Sequence, residues 1–440
     1  MLRHPLHQPS PPHLERSLSL TETVIYGLGI ILGAGIYALI GEAAGIAGNS
    51  VWLSFALAAA IASFTALSYC ELSSMFPKSA AEYTYVKHAF SSNLFGFLMG
   101  WISLFVAMIS ISAVAIGFSG YFNLLFGTEL VLTAIGVIAI LSIVNFLGVK
   151  ESARLNTGFT LVAIGGLVLI IFMAIPFFGS VDYFSSTIPN IPLPDMLNNV
   201  AIAAALIFFA YIGFEDIANV SEETVNARHA VPKAILISLV ISAILYVLVS
   251  ISAISIVPWQ ELAATPAPIS LVAGTVLGPI GSTIFSFIAL FATASTILII
   301  LVAVSRMLYG MASDHSLPGI LSKVHSKTKT PYVAIAVTSV IAMVFVLSGE
   351  LRHVAFVTTF AIFAMFFMVN LAVIVLRFSK PKQERIFTIP GNVGKVPLIP
   401  LIGVVASIFM ISRIDFTASV FGLIAILLGL PAYYVLKRIK

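Results

Sequence analysis

The chain has 440 residues, of which 60% are hydrophobic and 9% are charged, with a mean hydropathy of +1.09. Soluble domains carry about 25% charged residues, so this composition excludes a soluble globular protein and predicts a membrane protein. The net charge of +4 comes from basic residues scattered along predicted loops, which argues against a nucleic-acid-binding protein. A single cysteine, Cys70, excludes an internal disulfide framework.

The eight histidines fall in the N-terminal tail or near predicted helix ends. A haem or metal oxidase that spans a membrane needs histidine ligands at membrane depth, so we expect no such enzyme. Within the apolar runs, no cluster of catalytic side chains occurs. We therefore expect a protein that is not an enzyme and that binds no metal and no cofactor.

Residues 1–17 are polar and rich in proline, and they lack the apolar core of a cleaved signal peptide. We expect this segment to be a disordered cytosolic tail. After it, polar segments alternate with apolar runs near the length of about 20 residues that crosses a bilayer. The twelve runs are 18–48, 51–76, 94–122, 130–148, 155–178, 197–220, 233–257, 280–311, 332–348, 353–377, 397–412 and 416–436.

The basic residues orient these predicted spans. If the N-terminus lies inside, all lysines and arginines fall on cytoplasmic segments except Arg352 and Arg413. Such an excess is the positive-inside pattern of multi-pass membrane proteins. We therefore predict an all-α membrane protein with twelve transmembrane helices in the plasma membrane and with both termini cytoplasmic.

Two of the predicted spans contain helix-breaking residues. The first includes GLGIILGAGIYALIG (27–41), which has five glycines, and the sixth reads ALIFFAYIGFEDIANVSEE (205–223), where Gly213 is soon followed by Glu215 and Asp216. Glycine-interrupted helices at corresponding positions of two repeats indicate a transporter binding site. Because the repeat would contain five helices, an odd number, the second repeat must be inverted in the membrane.

A break at membrane depth creates a site for a small charged molecule. Irregular backbone persists there only where it is buried or lines a wet cavity. The freed amide groups suit an anion and the freed carbonyl groups suit a cation. An α-amino acid carries both charges one carbon apart, so the two breaks predict an amino acid site.

Other interpretations of the glycines stay open at this stage. Gly29 and Gly33 also fit the small-residue motif of helix packing. A transporter made of two six-helix halves would repeat its features in the first and seventh spans, but the seventh, AILISLVISAILYVLVSISAIS (234–255), has no glycine. An ion channel would need a more continuous polar lining than these apolar spans offer.

Four segments in the same order carry a family resemblance. They are ILGAGIYALIGEAAGIAG (31–48), YCELSSMFPKSAAEYTYVKHAF (69–90), FFAYIGFEDIANVSEETVNARHAVPKAI (208–235) and SRMLYGMASDHSLPGILSKVHSKTKTPYVAI (305–335). With these motifs the chain resembles the amino acid–polyamine–organocation (APC) superfamily of transporters.

The resemblance implies a LeuT-like fold of five plus five helices in an inverted repeat, with the first and sixth helices broken. It divides the chain into the tail (1–17), a first repeat (18–178), an extracellular loop (179–196), a second repeat (197–377), a cytosolic loop (378–396) and two C-terminal helices (397–440). It also implies alternating access, in which spans 1, 2, 6 and 7 rock against spans 3, 4, 5 and 8.

The resemblance further implies which residues bind the substrate. Backbone amides around Ala34, Gly35 and Ile36 would bind the carboxylate of an amino acid. Carbonyl groups of Ile31, Phe209, Ala210 and Ile212 would bind its ammonium group, and Phe209 would also cover the site. Gly33 and Gly213 mark the breaks themselves, so they complete the expected substrate-binding set.

The sequence says less about which ion is coupled to transport than about where the substrate binds. Many proton-coupled relatives carry a lysine in the fifth span, where this chain has Ala163 nearby and no lysine. Glu215 is the candidate for proton coupling, and the alternative is a permanently hydrogen-bonded structural carboxylate. Asp216, being adjacent on a helix, should point elsewhere and be structural. Ser295 and Thr296 are candidates for a sodium site, although such hydroxyls also bond their own helix backbone.

We therefore expect a secondary active amino acid transporter embedded in the lipid bilayer, either proton-coupled or an exchanger, with H⁺ preferred over Na⁺. The first alternative is a polyamine or cationic amino acid carrier, favoured if Glu42 and Glu215 face the pocket. The second is a sodium-coupled amino acid symporter on the same fold. One further expectation concerns Glu71, at the inner end of the second span, which should pair with basic residues of the loops.

Overall fold

The computed structural model describes residue 16 and residues 18–78, 80–187, 191–347 and 351–439, and helices dominate these ranges. The helices are α1 (Leu20–Ile31), α2 (Ala34–Ala47), α3 (Val51–Met75), α4 (Ala81–Phe90), α5 (Asn93–Phe126), α6 (Leu130–Leu147), α7 (Val149–Ala174), α8 (Leu193–Ile207), α9 (Asp216–Asn219), α10 (Ala227–Ile256), α11 (Trp259–Ala264), α12 (Pro268–Ser313), α13 (Tyr332–Val346), α14 (Leu351–Ser379), α15 (Leu398–Ile411) and α16 (Phe416–Ile439).

Short elements complete this fold. A hairpin of β1 (Asn392–Val393) and β2 (Val396–Pro397) lies between α14 and α15. Single 3-10 turns cover Gly48–Ser50, Ile175–Phe177, Phe208–Tyr211 and Gly319–Ser322.

By length and composition, nine helical segments of the described chain could cross a membrane. One of them, Leu20–Met75, contains the first two predicted runs, and two shorter apolar helices, α13 and α15, match the ninth and eleventh runs. These segments support a multi-pass membrane protein, while the count of twelve crossings stays a prediction. The helix α12 begins earlier than the predicted 280, because it continues across a kink at Gly278, whose φ is 68°.

The outward faces of several helices are apolar. Leu132 and Ile140 on α6 and Val240 and Ile244 on α10 are large hydrophobic residues that stay exposed. In water such a surface would be costly, whereas lipid tails are as apolar as these side chains. The exposed faces are therefore suited to contact with lipid.

Two buried glutamates, which form three ion pairs with arginines, tie helix ends to neighbouring segments. Glu71, at the end of α3, is 1% exposed and accepts hydrogen bonds from Arg377 (2.6 Å) and Arg385 (3.1 Å), as well as from the amide of Ile389 (3.0 Å). Arg385 lies in the loop after α14, as expected for a partner of Glu71, whereas Arg377 belongs to α14 itself. On α12, the Nε atom of Arg306 lies 3.4 Å from Oε1 of Glu223.

Candidate functional site

The first interrupted helix breaks between α1 and α2. The helix α1 ends at Ile31, and Gly33 has non-helical φ and ψ of −101° and −128° before α2 begins at Ala34. A Cβ atom at Gly33 would overlap the side chain of Thr296, and one at Gly35 would overlap Ala210. Both glycines are therefore needed because other chain segments approach the backbone directly.

The second interruption separates α8 from α9. After α8, a 3-10 turn covers Phe208–Tyr211, and Ile212 and Gly213 leave the helical conformation before the short α9. Gly213 has φ of +121°, which L side chains rarely adopt, and a Cβ atom there would lie 2.8 Å from Cγ2 of Ile30. The two interruptions pack against each other, through Gly35 with Ala210 and through Gly213 with Ile30.

A tyrosine that the sequence analysis did not single out joins the two interruptions. The Tyr246 hydroxyl, on α10, is fully buried and hydrogen-bonds the carbonyl oxygens of Ile31 and Ala210, the latter at 3.1 Å. These are two of the carbonyl groups expected to bind an ammonium group. The sequence signal was available, because Tyr246 is the one phenolic hydroxyl in the seventh run, whose other polar side chains are Lys233 and five serines.

One cavity adjoins both interruptions. Of the predicted site residues, those that line it are Ile31, Gly35, Phe209, Ala210, Ile212, Gly213, Glu215 and Thr296. The predicted residues Gly33, Ile36 and Ser295 are buried without lining the cavity, and the side chain of Ala34 lies outside the described structure. Glu42 does not line the cavity either.

The walls of this cavity are mainly apolar. The apolar lining residues on α5, α12 and α14 are Val106, Ala107, Val114, Ile300, Met307, Ile362 and Met365. Ser110 also lines the cavity, and its buried hydroxyl has no hydrogen-bond partner within the described ranges. This hydroxyl is available for a ligand.

Carboxylates gather where α4 meets α9. Glu82, Glu215 and Asp216 line the cavity, and no lysine, arginine or histidine of the described chain does. The amide of Gly213 donates a hydrogen bond of 3.0 Å to Oε2 of Glu215, so this carboxylate caps the second interruption. The amide group of Asn219 donates to Asp216 at 3.3 Å.

The expectation that Asp216 points away from the Glu215 side was wrong. That expectation assumed helical spacing, in which adjacent residues project in different directions. Glu215 already has helical φ and ψ of −66° and −34° before α9 begins at Asp216, and the cavity extends along both side chains.

The candidate sodium-site hydroxyls already have protein partners. Ser295 donates to the side-chain oxygen of Asn156 at 2.6 Å. Thr296 lies within hydrogen-bonding distance of the carbonyl oxygens of Gly29 (3.2 Å) and Ala292 (3.3 Å). Thr296 thus approaches a carbonyl group of the first helix, while the contact of Ser295 with Asn156 was not anticipated from sequence.

Comparison with known proteins places this geometry in context. A family model described as "Amino acid permease" matches residues 18–429. The branched-chain amino acid permease BcaP of Bacillus subtilis is 32% identical, over 97% of this chain and 94% of its own length. The methylthioribose transporter of the same organism is 29% identical, over 97% and 94% of the two chains.

A solved structure shares the architecture. Mhp1, a nucleobase–cation symport-1 family transporter in a closed conformation with bromovinylhydantoin bound, aligns with a TM-score of 0.58. The alignment covers 99% of this chain and 96% of that one, at 18% sequence identity. At this identity the likeness supports the fold alone.

Proposed function

The chain belongs to the amino acid permease family, and from this premise we propose that it is a secondary active transporter of amino acids in the plasma membrane. The observation that carries the proposal is the pair of interrupted helices that meet at one cavity, which is lined by Gly35, Phe209, Ala210, Ile212 and Gly213. Alternating access around this cavity is the proposed mechanism. A channel would need an open polar path, which these apolar walls do not favour.

The proposed topology has twelve crossings, with both termini cytoplasmic. It treats α1 with α2 as the broken first span and α8 with α9 as the broken sixth span. Support comes from the agreement of the apolar segments with the twelve predicted runs and from the positive-inside distribution. The two five-helix repeats would then be inverted relative to each other.

A zwitterionic amino acid fits the polar groups at the interruptions. The N-cap residue of α2, Gly33, provides no side-chain cap, so the first amides of α2 are free to bind a carboxylate. Carbonyl oxygens of Ile31, Phe209, Ala210 and Ile212 would bind the ammonium group. A carbonyl oxygen has two lone pairs, so Ala210 can serve both Tyr246 and an ammonium group. The Ile31 carbonyl also accepts a hydrogen bond of 2.9 Å from the Gly33 amide, which an ammonium group would have to share or displace.

The apolar walls favour an aliphatic side chain on the substrate, such as that of leucine, isoleucine or valine. The relative BcaP is a branched-chain amino acid permease, which agrees with this class. The carboxylates Glu82, Glu215 and Asp216 favour the alternative, a polyamine or cationic amino acid carrier. Against that alternative, Glu42 lies away from the cavity.

Purified protein in liposomes should take up radiolabelled leucine, with isoleucine and valine as competitors. A panel that includes alanine, arginine and putrescine separates the aliphatic class from the cationic one. Preferred uptake of arginine or putrescine would replace the aliphatic assignment. If no amino acid or polyamine moves, the proposed transport function is wrong.

A larger side chain in the cavity wall should change which substrate side chains the cavity accepts. We expect Ala107→Phe to reduce leucine uptake at least about tenfold, because the added ring fills space that the larger substrate needs. Alanine uptake should fall much less. The control is Ala60→Phe, at an exposed position of α3. Equal losses for leucine and alanine would contradict the assignment of Ala107 to the substrate side-chain pocket.

We propose H⁺ as the coupling ion, with Glu215 as one candidate carrier, and expect uptake to continue at the same rate when choline replaces sodium. The alternative, sodium coupling, has one supporting observation, the approach of Thr296 to the Gly29 carbonyl. A sodium-dependent rate that Thr296→Val abolishes would establish this alternative and remove the proton-coupling proposal.

A further inference from the structure

Glu82 is a buried carboxylate that the proposed binding of an amino acid does not use. It lies in the first turn of α4, is 1% exposed, and lines the cavity together with Glu215 and Asp216. The amide of the preceding residue, Ala81, donates a hydrogen bond of 2.8 Å to the side chain of Asn219, which holds α4 against α9. Movement of the second interruption therefore bears directly on the surroundings of Glu82.

The hydrogen bonds of Glu82 leave one carboxylate oxygen without a partner. Tyr69 donates to Oε1 at 3.0 Å, whereas the buried Oε2 atom has no hydrogen-bond partner in the described part of the chain. Two other buried glutamates have arginine partners, Glu71 with Arg377 and Glu223 with Arg306. Glu82 thus differs from them in lacking a compensating positive charge.

The groups that face Glu82 are neutral or acidic. From α3 it meets Tyr69, on its own helix Tyr85 lies nearby, and from the second interruption it faces Glu215 and Asp216. The other cavity walls contribute uncharged residues, namely Ser103 from α5, Met307 from α12 and Met365 from α14. A carboxylate buried in such surroundings is stabilised by binding a proton.

On the basis of the proposed proton-linked transport, we propose that Glu82 is a proton-binding residue of the transport cycle. Its unpartnered oxygen carries the proton while the cavity is closed over substrate, because a neutral carboxyl group costs less to enclose than a carboxylate. On opening to the other side, the carboxyl O–H bond breaks and the proton passes to water. One proton then moves with each substrate.

The acid–base properties of Glu82 agree with this role. Burial, assisted by the charge of Asp216, raises the pKa of Glu82 to about 7. The first turn of α4 favours the ionised form in part, because the amide ends of a helix stabilise a negative charge. Near neutral pH the group can therefore both bind and release a proton.

Transport by a neutral variant tests the proposal. In proteoliposomes, Glu82→Gln should lower the ratio of pH-gradient-driven leucine accumulation to leucine exchange by about tenfold or more. It should also flatten the pH dependence of uptake between about pH 5.5 and pH 8.5, because glutamine cannot titrate. The control is Glu384→Gln, at a carboxylate that is 77% exposed. Gradient-driven accumulation at the wild-type ratio in Glu82→Gln would overturn the proposal.

A second measurement does not depend on transport. Infrared difference spectra of the purified wild-type protein should contain the band of a protonated carboxyl group that titrates near pH 7. Spectra of Glu82→Gln should lack it, while those of Glu384→Gln should retain it. Absence of this band from the wild-type protein overturns the role of Glu82 even if leucine is transported. Its presence without any transport would leave Glu82 as a proton-binding residue and remove only the proposed function.

Discussion

Gly35→Ala should reduce amino acid uptake by about a hundredfold, which is the effect expected when reacting or binding groups are displaced by about 1 Å. The added Cβ atom would overlap both Cα and Cβ of Ala210, so the two interruptions could not remain in contact. Displacing them misplaces the amides of α2 relative to the carbonyl groups of the second interruption. The measurements are leucine uptake and equilibrium binding of leucine to the purified protein.

The control for this prediction is Gly165→Ala in α7, where an added Cβ atom would meet nothing within 4 Å. Alanine is a better helix former than glycine by about 0.5–1 kcal/mol, so a loss at Gly35 cannot come from weaker helix formation. Wild-type leucine affinity in a folded Gly35→Ala protein would show that the contact between the interruptions is not part of the binding site.

Glu71→Gln should lower the free energy of unfolding by about 3–5 kcal/mol, the usual cost of removing one partner from a buried ion pair. The substitution leaves the guanidinium groups of Arg377 and Arg385 buried without the carboxylate that now accepts from both. It also replaces an acceptor of the Ile389 amide. Thermal unfolding in detergent, monitored by size-exclusion chromatography, measures the effect.

The matched comparison is Glu384→Gln, because Glu384 also pairs with an arginine, Arg228, at 3.3 Å. Both of those side chains are exposed, and exposed ion pairs contribute about 0–1 kcal/mol. The unfolding temperature of Glu384→Gln should therefore stay close to that of the wild type. A similar small effect of Glu71→Gln would mean that the buried cluster does not hold α3, α14 and the following loop together.

Much of the candidate site could be predicted from the sequence because its binding groups belong to the backbone. Gly33 and Gly213 stand where the two helices are interrupted, and Gly35, Glu215 and Asp216 follow within three residues of them. The structure differs from the sequence prediction at two residues. Ser295 is hydrogen-bonded to Asn156, and Asp216 lines the cavity. In both cases the prediction relied on helical spacing or on the chemistry of one residue, without its neighbours.

The sequence by itself determined that the protein is apolar enough for a membrane, where its apolar runs lie, and near which glycines two of the helices stop. These properties depend on composition and local backbone preference, and both can be read from the sequence without knowledge of the fold. Only the tertiary structure decided that Tyr246 joins Ile31 to Ala210, that Glu71 meets Arg377 and Arg385, and that Glu82 faces the cavity with one oxygen unpartnered. Such contacts depend on which distant segments pack together, because burial and the identity of the neighbours set the energy of a polar group.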